Sequence, residues 1–436
     1  MLWNDEEFWE QLEQVQQEMT SRYAELFNHE DERHQMLAYI RQYLEEHTDW
    51  PDILRSRRAE DIYAEMAEYG FLTPYLRSDR LEEININAWN DVAVTDRNGK
   101  TEKLQEHFRS PQHAENLLKR LLHHSGMIVD GASPMAQGHL PGNIRITVLK
   151  SPLVDRSCGI AASIRFLHPS EIRLEELAES GFAPREELDF LCMCARYGVP
   201  FVIAGATGSG KTTLLNAVLA TVPPEKRIFT IETGSRELSL VRRTEDGVEN
   251  NVIHTLSRPS ESSALDISQE DLVVASLRFH PDLVCVGEMR DVECYAAVEA
   301  SLTGHTVVST VHAGAGESAH TRIALLCQKR FPLDFSTSML QAAQAFPVIV
   351  FTHQLEDKSR RIMDVTECRI DGHGKRCYHS LYRYQLEGDR ETNRTVGSFR
   401  KAGTMSQSLY ERLLRNGAPV TEIESHFRIR KEDSHE

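Results

Sequence analysis

The sequence predicts an α/β protein whose larger domain is a parallel or mixed sheet wrapped by helices, preceded by a smaller mixed α/β domain and an N-terminal helical region. Three observations predict it. From Val199 onward, apolar runs at Phe201 to Ala204, Arg227 to Glu232, Leu283 to Val286, Val307 to Thr310 and Val348 to Phe351 alternate with helical patterns. That alternation marks strands covered by helices. Between about 75 and 167, period-two segments surround one Leu-rich helix, and before 74 apolar residues recur at helical spacing with few glycines.

Glu6 to about Tyr69 reads as an antiparallel helical region that serves packing or partner docking and carries no catalysis. Ile84 and Ile86 alternate with Asn85 and Asn87, and Val92 and Val94 follow Trp89-Asn90-Asp91, which reads as two short strands around a turn. A helix with His113, Leu117, Leu118, Leu121 and Leu122 comes next. Strand patterning then resumes with Ile144, Ile146 and Val148, and again with Ile160, Ala162 and Ile164. His168-Pro169-Ser170 breaks the pattern, and Ser170 before Glu171 and a Leu-rich stretch suggests a linker ending in a helix N-terminus. Residues after about 395 read as a polar linker and a small helical end around Leu409 to Leu414. The expected division is therefore 1–74, 75–167, 168–395 and 396–436.

At 436 residues the chain exceeds what one hydrophobic core organises, and its 40% apolar content suffices for two or three. The net charge of −17 disfavours direct nucleic-acid binding, which needs a cationic surface. A local groove containing Lys358, Arg360 and Arg361 can still be basic. The acidic N-terminus lacks the basic start and apolar core of a signal peptide, and no apolar run approaches the ~20 residues needed to cross a bilayer. A cytoplasmic location, with membrane association only through partners, is expected. The eight cysteines show no C-x-x-C spacing and read as reduced thiols; Cys192 and Cys194 should point to different helix faces.

Four blocks carry chemistry. Gly205-Ala206-Thr207-Gly208-Ser209-Gly210-Lys211-Thr212 follows a strand and precedes the helical run from Thr213 to Leu219. Glycines let backbone N–H groups curl around phosphate, Lys211 can reach β- and γ-phosphates, and the Thr212 hydroxyl is placed to hold magnesium. This P-loop, with Thr213, predicts ATP and Mg2+ as ligands. Thr230-Ile231-Glu232 ends a second strand before Arg236-Glu237-Leu238; Glu232 or Glu237 can orient a water or act on magnesium through one, a solvated acidic loop being the alternative. The strand Asp282 to Val286 delivers Glu288, which can activate or position the attacking water and act on magnesium through water, although Gly287 stands where an aspartate is usual. Gly304-His305-Thr306 leads into Ser309-Thr310-Val311-His312, where Thr310 and His312 can sense the γ-phosphate.

In this order the blocks resemble the Walker A, Asp box, Walker B and His box of the type II/type IV secretion ATPases, over about residues 75 to 425. Ser133-Pro134-Met135 with Leu140-Pro141 and Arg145 looks like that family's N-terminal domain, and Leu277-Arg278 with Pro281-Asp282 looks like its approach to Walker B. Within the superfamily the chain looks most like the Tad/Flp pilus assembly ATPases, because a helical region precedes the domain and Ser359-Arg360-Arg361-Ile362 leads into Val365-Thr366-Glu367. The absence of a four-cysteine zinc element argues against the type II branch. Three positions depart from the pattern: Thr233 replaces the Asp-box aspartate, Glu288-Met289-Arg290-Asp291 is nearer the twitching-motility retraction ATPases, and Ser309 to His312 is intermediate.

The resemblance implies a RecA-like P-loop domain, a homo-hexamer, ATP at the cleft between two domains, and arginines donated across it. By motif position these are Arg145 and Arg165 in the first domain and Arg258 and Arg278 in the second. It also implies an inner-membrane platform protein as partner and ATP hydrolysis that drives pilus assembly or protein secretion. A RecA-like nucleic-acid translocase and a nucleotide-gated, non-hydrolytic assembly scaffold are the competing functions.

Overall fold

The computed structural model describes residues 5–22, 33–97, 99–123, 125, 127–166, 172–245, 247–258, 266–387 and 397–427. The expected linker at His168-Pro169-Ser170 lies outside them. The chain forms two compact units, Met1–His168 and Pro169–Glu436. Among the described residues no helix is long and apolar enough to cross a membrane.

The first unit opens with helices α1 (Glu6–Arg22), α2 (Arg33–His47), α3 (Asp52–Ala67) and the single turn α4 (Thr73–Leu76). The apolar stripes of α1, α2 and α3 close a small core of their own, in which Phe8, Leu12 and Val15 meet Ile40, Leu44 and Ile62. The sheet comprises β1 (Leu81–Ala88), β2 (Asp91–Asp96), β3 (Thr101–Lys103), β4 (Met135–Leu140), β5 (Ile144–Lys150) and β6 (Ile160–Phe166), ordered β3-β2-β1-β6-β5-β4 and antiparallel throughout. The period-two pattern sets its register: Ile84 and Ile146 both lie opposite Ile164. Helix α5 (Pro111–His123) lays Leu117, Leu118, Leu121 and Leu122 on that apolar core.

The second unit begins with α6 (Leu174–Glu179) and α7 (Arg185–Arg196), followed by β7 (Phe201–Gly205), α8 (Lys211–Leu219), β8 (Ile228–Glu232), the short pair β9 (Arg243–Thr244) and β10 (Gly247–Val248), and β11 (Val252–Leu256). After these come α9 (Gln269–Ser276), β12 (Leu283–Met289), α10 (Glu293–Leu302), β13 (Val307–Val311), α11 (Ser318–Arg330), α12 (Phe335–Ala345), β14 (Val348–Gln354), β15 (Arg360–Ile370), β16 (Arg376–Leu386), β17 (Gly397–Lys401), α13 (Gln407–Arg415) and α14 (Val420–His426). Nine strands form one sheet in the order β11-β8-β12-β13-β7-β14-β15-β16-β17. The pairs from β11 to β14 are parallel and those from β14 to β17 antiparallel. With β13 between the P-loop strand β7 and the Glu288 strand β12, this is the expected RecA-like order.

Every residue of β7, β8 and β13 is buried, as strands covered on both faces require. One core contains Leu214, Leu215 and Val218 from α8 with Leu188, Leu191 and Leu413; the other contains Ala297, Val298, Ile323 and Ala342 from α10, α11 and α12. Helix α7 lies inside the first, so Cys192 and Cys194 are both buried although they point to different faces. Burial pushes the Cys192 thiol up to about 11 and raises that of Cys194 as well, which makes neither a ready nucleophile.

The stretch expected as a polar linker after 395 corrects to a strand in part. β17 pairs antiparallel with β16, Phe399 opposite Tyr384 with ring centroids 4.7 Å apart. An edge strand needs only one apolar face, and Arg400 and Lys401 leave a polar composition that hides it. The 11-residue strands β15 and β16 were likewise not anticipated.

Glu187 of α7 is 1% exposed, its Oε1 has no hydrogen-bond partner, and Asp364 and Glu186 are close enough to repel it. Burial first, then those two charges, push its carboxyl up to about 8. A carboxyl raised in the folded state contributes stability at acid pH that is lost as pH rises through about 8. Glu187→Gln, neutral at every pH, should therefore raise the melting temperature by roughly 5 °C at pH 8.5 and change it little at pH 5, checked by thermal unfolding at both values.

Candidate functional site

Four parallel strands end at one edge of the sheet, and each delivers a predicted group there. β7 runs into the P-loop, whose Ala206, Thr207 and Gly208 are exposed while Ser209 is fully buried. The Ser209 hydroxyl is 2.9 Å from that of Thr352 on β14, which ties the loop to the neighbouring strand. Gly210 has φ +93°, and a Cβ there would meet the Phe182 ring at 2.9 Å, so only glycine turns the loop into α8. Lys211 and Thr212 thus open α8, where free N–H groups and the helix dipole favour an anion.

The Lys211 ammonium donates to the carbonyls of Gly205 at 3.1 Å and Ala206 at 2.9 Å and lies 3.4 Å from His312 Nδ1. Desolvation lowers its pKa, the attraction of Glu288 opposing that. His312 Nε2 is 2.7 Å from Glu288 Oε1, and Arg290 Nη2 donates to Glu288 Oε2. The Glu288 carboxylate is therefore held at Oε2, while Oε1 lies buried beside the imidazole without accepting a hydrogen bond.

Glu288 sits where the ladder between β12 and β13 shifts register, between Val286 and Met289. Thr310 fills the irregularity by donating its hydroxyl to the Gly287 carbonyl at 2.8 Å. Thr310 is 1% exposed and braces the strand end. Gly287 has its own reason: a Cβ would lie 3.2 Å from Glu232 Cγ and 3.4 Å from the Ile231 carbonyl. The strand that carries the second acid leaves no comfortable room for the aspartate expected at this position.

Glu232 and Glu237 have separate environments. Glu232 is 4% exposed, and its Oε1 accepts the backbone N–H groups of Glu237 at 2.7 Å and Leu238 at 3.0 Å, so it staples the following loop. Its Oε2 has no hydrogen-bond partner, and burial pushes the carboxyl up to about 7 against those two bonds. His254 lies 4.0 Å from it, and burial lowers the imidazole to about 4, leaving it neutral near pH 7. Glu237 is exposed. Thr212, Glu232, Thr233, Glu237, Gly287 and Glu288 line one small cleft together with Ser235, Gln269 and Arg290.

A second recess flanks the P-loop, formed by Leu177, Phe182, Gly210, Thr213, Lys358 and Arg360 among others. The anticipated basic groove at Lys358, Arg360 and Arg361 is this recess. Arg258 and Arg278 are exposed outside the Glu288 cleft, Arg258 bridging to Ile267 through backbone bonds. In the first unit Arg145 and Arg165 face each other across β5 and β6, and Arg165 lies 3.4 Å from Glu82. The role of Arg290 was not read from the sequence, because an arginine two residues after a strand-end glutamate looks like any surface cation.

The donor set fits magnesium nucleotide. Among the described residues no cluster of three His, Cys, Asp or Glu forms a metal cage. Magnesium commonly takes one or two protein oxygens and completes its shell with phosphates and water. The Thr212 hydroxyl and the carboxylates across the cleft are donors of that kind.

The profile of the type II/IV secretion system protein family matches residues 65–417. The chain belongs to that family. The type IV secretion system protein PtlH of Bordetella pertussis is 26% identical over 67% of this chain and 92% of its own length. An uncharacterised protein of Methanocaldococcus jannaschii is 29% identical over 64% of this chain, which spans about half of that relative, 48%. Among solved structures, the VirB11 ATPase of the Brucella suis type IV secretion system, in complex with sulphate, is 22% identical with a TM-score of 0.35, covering 67% of this chain and 94% of that one. The pilus retraction motor PilT with bound ADP is 21% identical with a TM-score of 0.46, covering 69% and 78%.

The tight approach at Gly287 makes a direct prediction. Gly287→Asp, which restores the usual Walker B residue, should destabilise the protein by about 1–3 kcal/mol because the side chain intrudes on Glu232. Chemical denaturation beside Gly287→Ala, expected to cost less, checks it.

Proposed function

We propose that the chain is an ATP-hydrolysing motor that drives pilus assembly or protein secretion, working as a homo-hexamer of the Tad/Flp type on the cytoplasmic face of the inner membrane through a platform protein. The convergence of Lys211, Thr212, His312 and Glu288 at one sheet edge carries this reading, with Glu288 Oε1 2.7 Å from His312 and Lys211 3.4 Å from the same imidazole. The P-loop amides and Lys211 bind the phosphates, and the flanking recess with Phe182 and Arg360 takes the remainder of the nucleotide. Thr212 and, through a water, Glu288 would hold magnesium, which would offset phosphate charge.

Glu288 aligns the attacking water and accepts its proton, while His312 orients that carboxylate. Glu232 shapes the loop that presents Glu237, since its own oxygen is spent on backbone amides. Arg145, Arg165, Arg258 and Arg278 are proposed to stabilise transferred charge on a nucleotide held by a neighbouring copy. The output is movement, which direct nucleic-acid contact does not require. A second reading, a nucleotide-gated scaffold, is favoured by Glu232 being locked in this way and by Thr233 in place of an acid.

The test is phosphate release by the full chain as a function of protein concentration, with and without magnesium, beside Lys211→Ala and Glu288→Gln. The motor reading expects magnesium-dependent turnover that rises more than linearly with concentration, is abolished in Lys211→Ala, and falls roughly a hundredfold in Glu288→Gln with ATP still bound. Tight ATP binding with no turnover under any condition would move the assignment to the scaffold.

A further inference from the structure

Arg290 stands at the mouth of the Glu288 cleft with its backbone fixed and its side chain free to move. Its N–H and that of Asp291 both donate to Glu293 Oε1, at 2.5 and 2.8 Å, and Glu293 is 5% exposed, so the turn after β12 is pinned. The side chain is 53% exposed and therefore not packed into one position. Its guanidinium is spent on Glu288 Oε2, and that hydrogen bond raises the arginine's pKa. With His312 at the other oxygen, Glu288 has a cation on one side and an imidazole on the other.

Neither oxygen of the carboxylate is open to an attacking water: Oε2 is taken by the arginine, and Oε1 is buried against the His312 ring without accepting a hydrogen bond. The cation that holds it lines the same cleft as Thr212, the residue next to the P-loop lysine, with Glu237 and Gln269 nearby. A terminal phosphate brings more negative charge than one carboxylate and an oxygen array that matches the guanidinium fork. The two acceptors therefore compete for one arginine.

We infer that Arg290 is a positioning residue with two partners: it holds Glu288 until the terminal phosphate of ATP draws it away, so that the carboxylate is released only when there is a phosphate to attack. ADP lacks the second partner and leaves the clamp closed. No covalent step is involved; the exchange swaps one charge-assisted hydrogen bond for another. This rests on the nucleotide-binding reading above and deepens it by tying one residue of this chain to recognition of the γ-phosphate.

Calorimetric titration of the full chain with a magnesium-loaded non-hydrolysable ATP analogue and with Mg-ADP, both in the wild-type sequence, tests the exchange. Arg290→Ala should weaken ATP binding about tenfold or more while leaving ADP binding within about twofold, the loss expected for one hydrogen bond to a charged group. In the wild-type background Arg290→Ala should lower kcat/KM by more than it lowers kcat, because the lost contact weakens ATP binding, and Arg290→Lys, a point charge without the fork, should recover part of both. An unchanged ratio of ATP to ADP affinity in Arg290→Ala would overturn the inference, as would equal weakening of both nucleotides, which marks a merely structural ion pair. If Arg290→Ala does not fold, the same ratio measured on Arg290→Lys and Arg290→Gln decides. Loss of ATP preference in a chain that never hydrolyses ATP would sink the motor reading and leave the exchange standing; binding of neither nucleotide would sink both.

Discussion

The parallel ladder β8-β12-β13-β7 is the constraint on which the site depends. Parallel strands all end on the same side, so four segments far apart in sequence deliver their last residues to one edge. The P-loop, Glu232, Glu288 and His312 are neighbours for that reason and no other. The ladder is held by nearly continuous apolar burial on both faces, which leaves polar groups to gather at the strand ends.

Within the cleft, burial and charge divide the acids between tasks. Glu232 is enclosed, bonded to two backbone amides and held near neutrality, so it acts as a structural brace. Glu288 lies one strand over, with Arg290 donating to Oε2 and the His312 ring 2.7 Å from Oε1. The absence of a side chain at Gly287 lets the two acids lie side by side, because β12 passes so close to Glu232 that a Cβ would already crowd it.

The chain's strong negative charge fits this economy. The cations that matter, Lys211, Arg290 and Arg360, are gathered around the P-loop and its flanking recess. A protein with a net charge of −17 can still draw a nucleotide through a local field of that kind.

The sequence by itself determined the local chemistry. The P-loop octet, the apolar strands that precede each functional residue and the period-two strands of the first unit were all legible, because each is a short-range pattern set by backbone geometry. It did not disclose β15, β16 and β17, whose mixed polarity reflects an antiparallel edge with one solvated face. Nor did it separate Glu232 from Glu288 in role, explain Gly287, or single out Arg290. Those were decided by tertiary structure alone: which strand lies beside which fixes how much water reaches each carboxylate and which cation meets it, and such distances are not encoded in any local spacing.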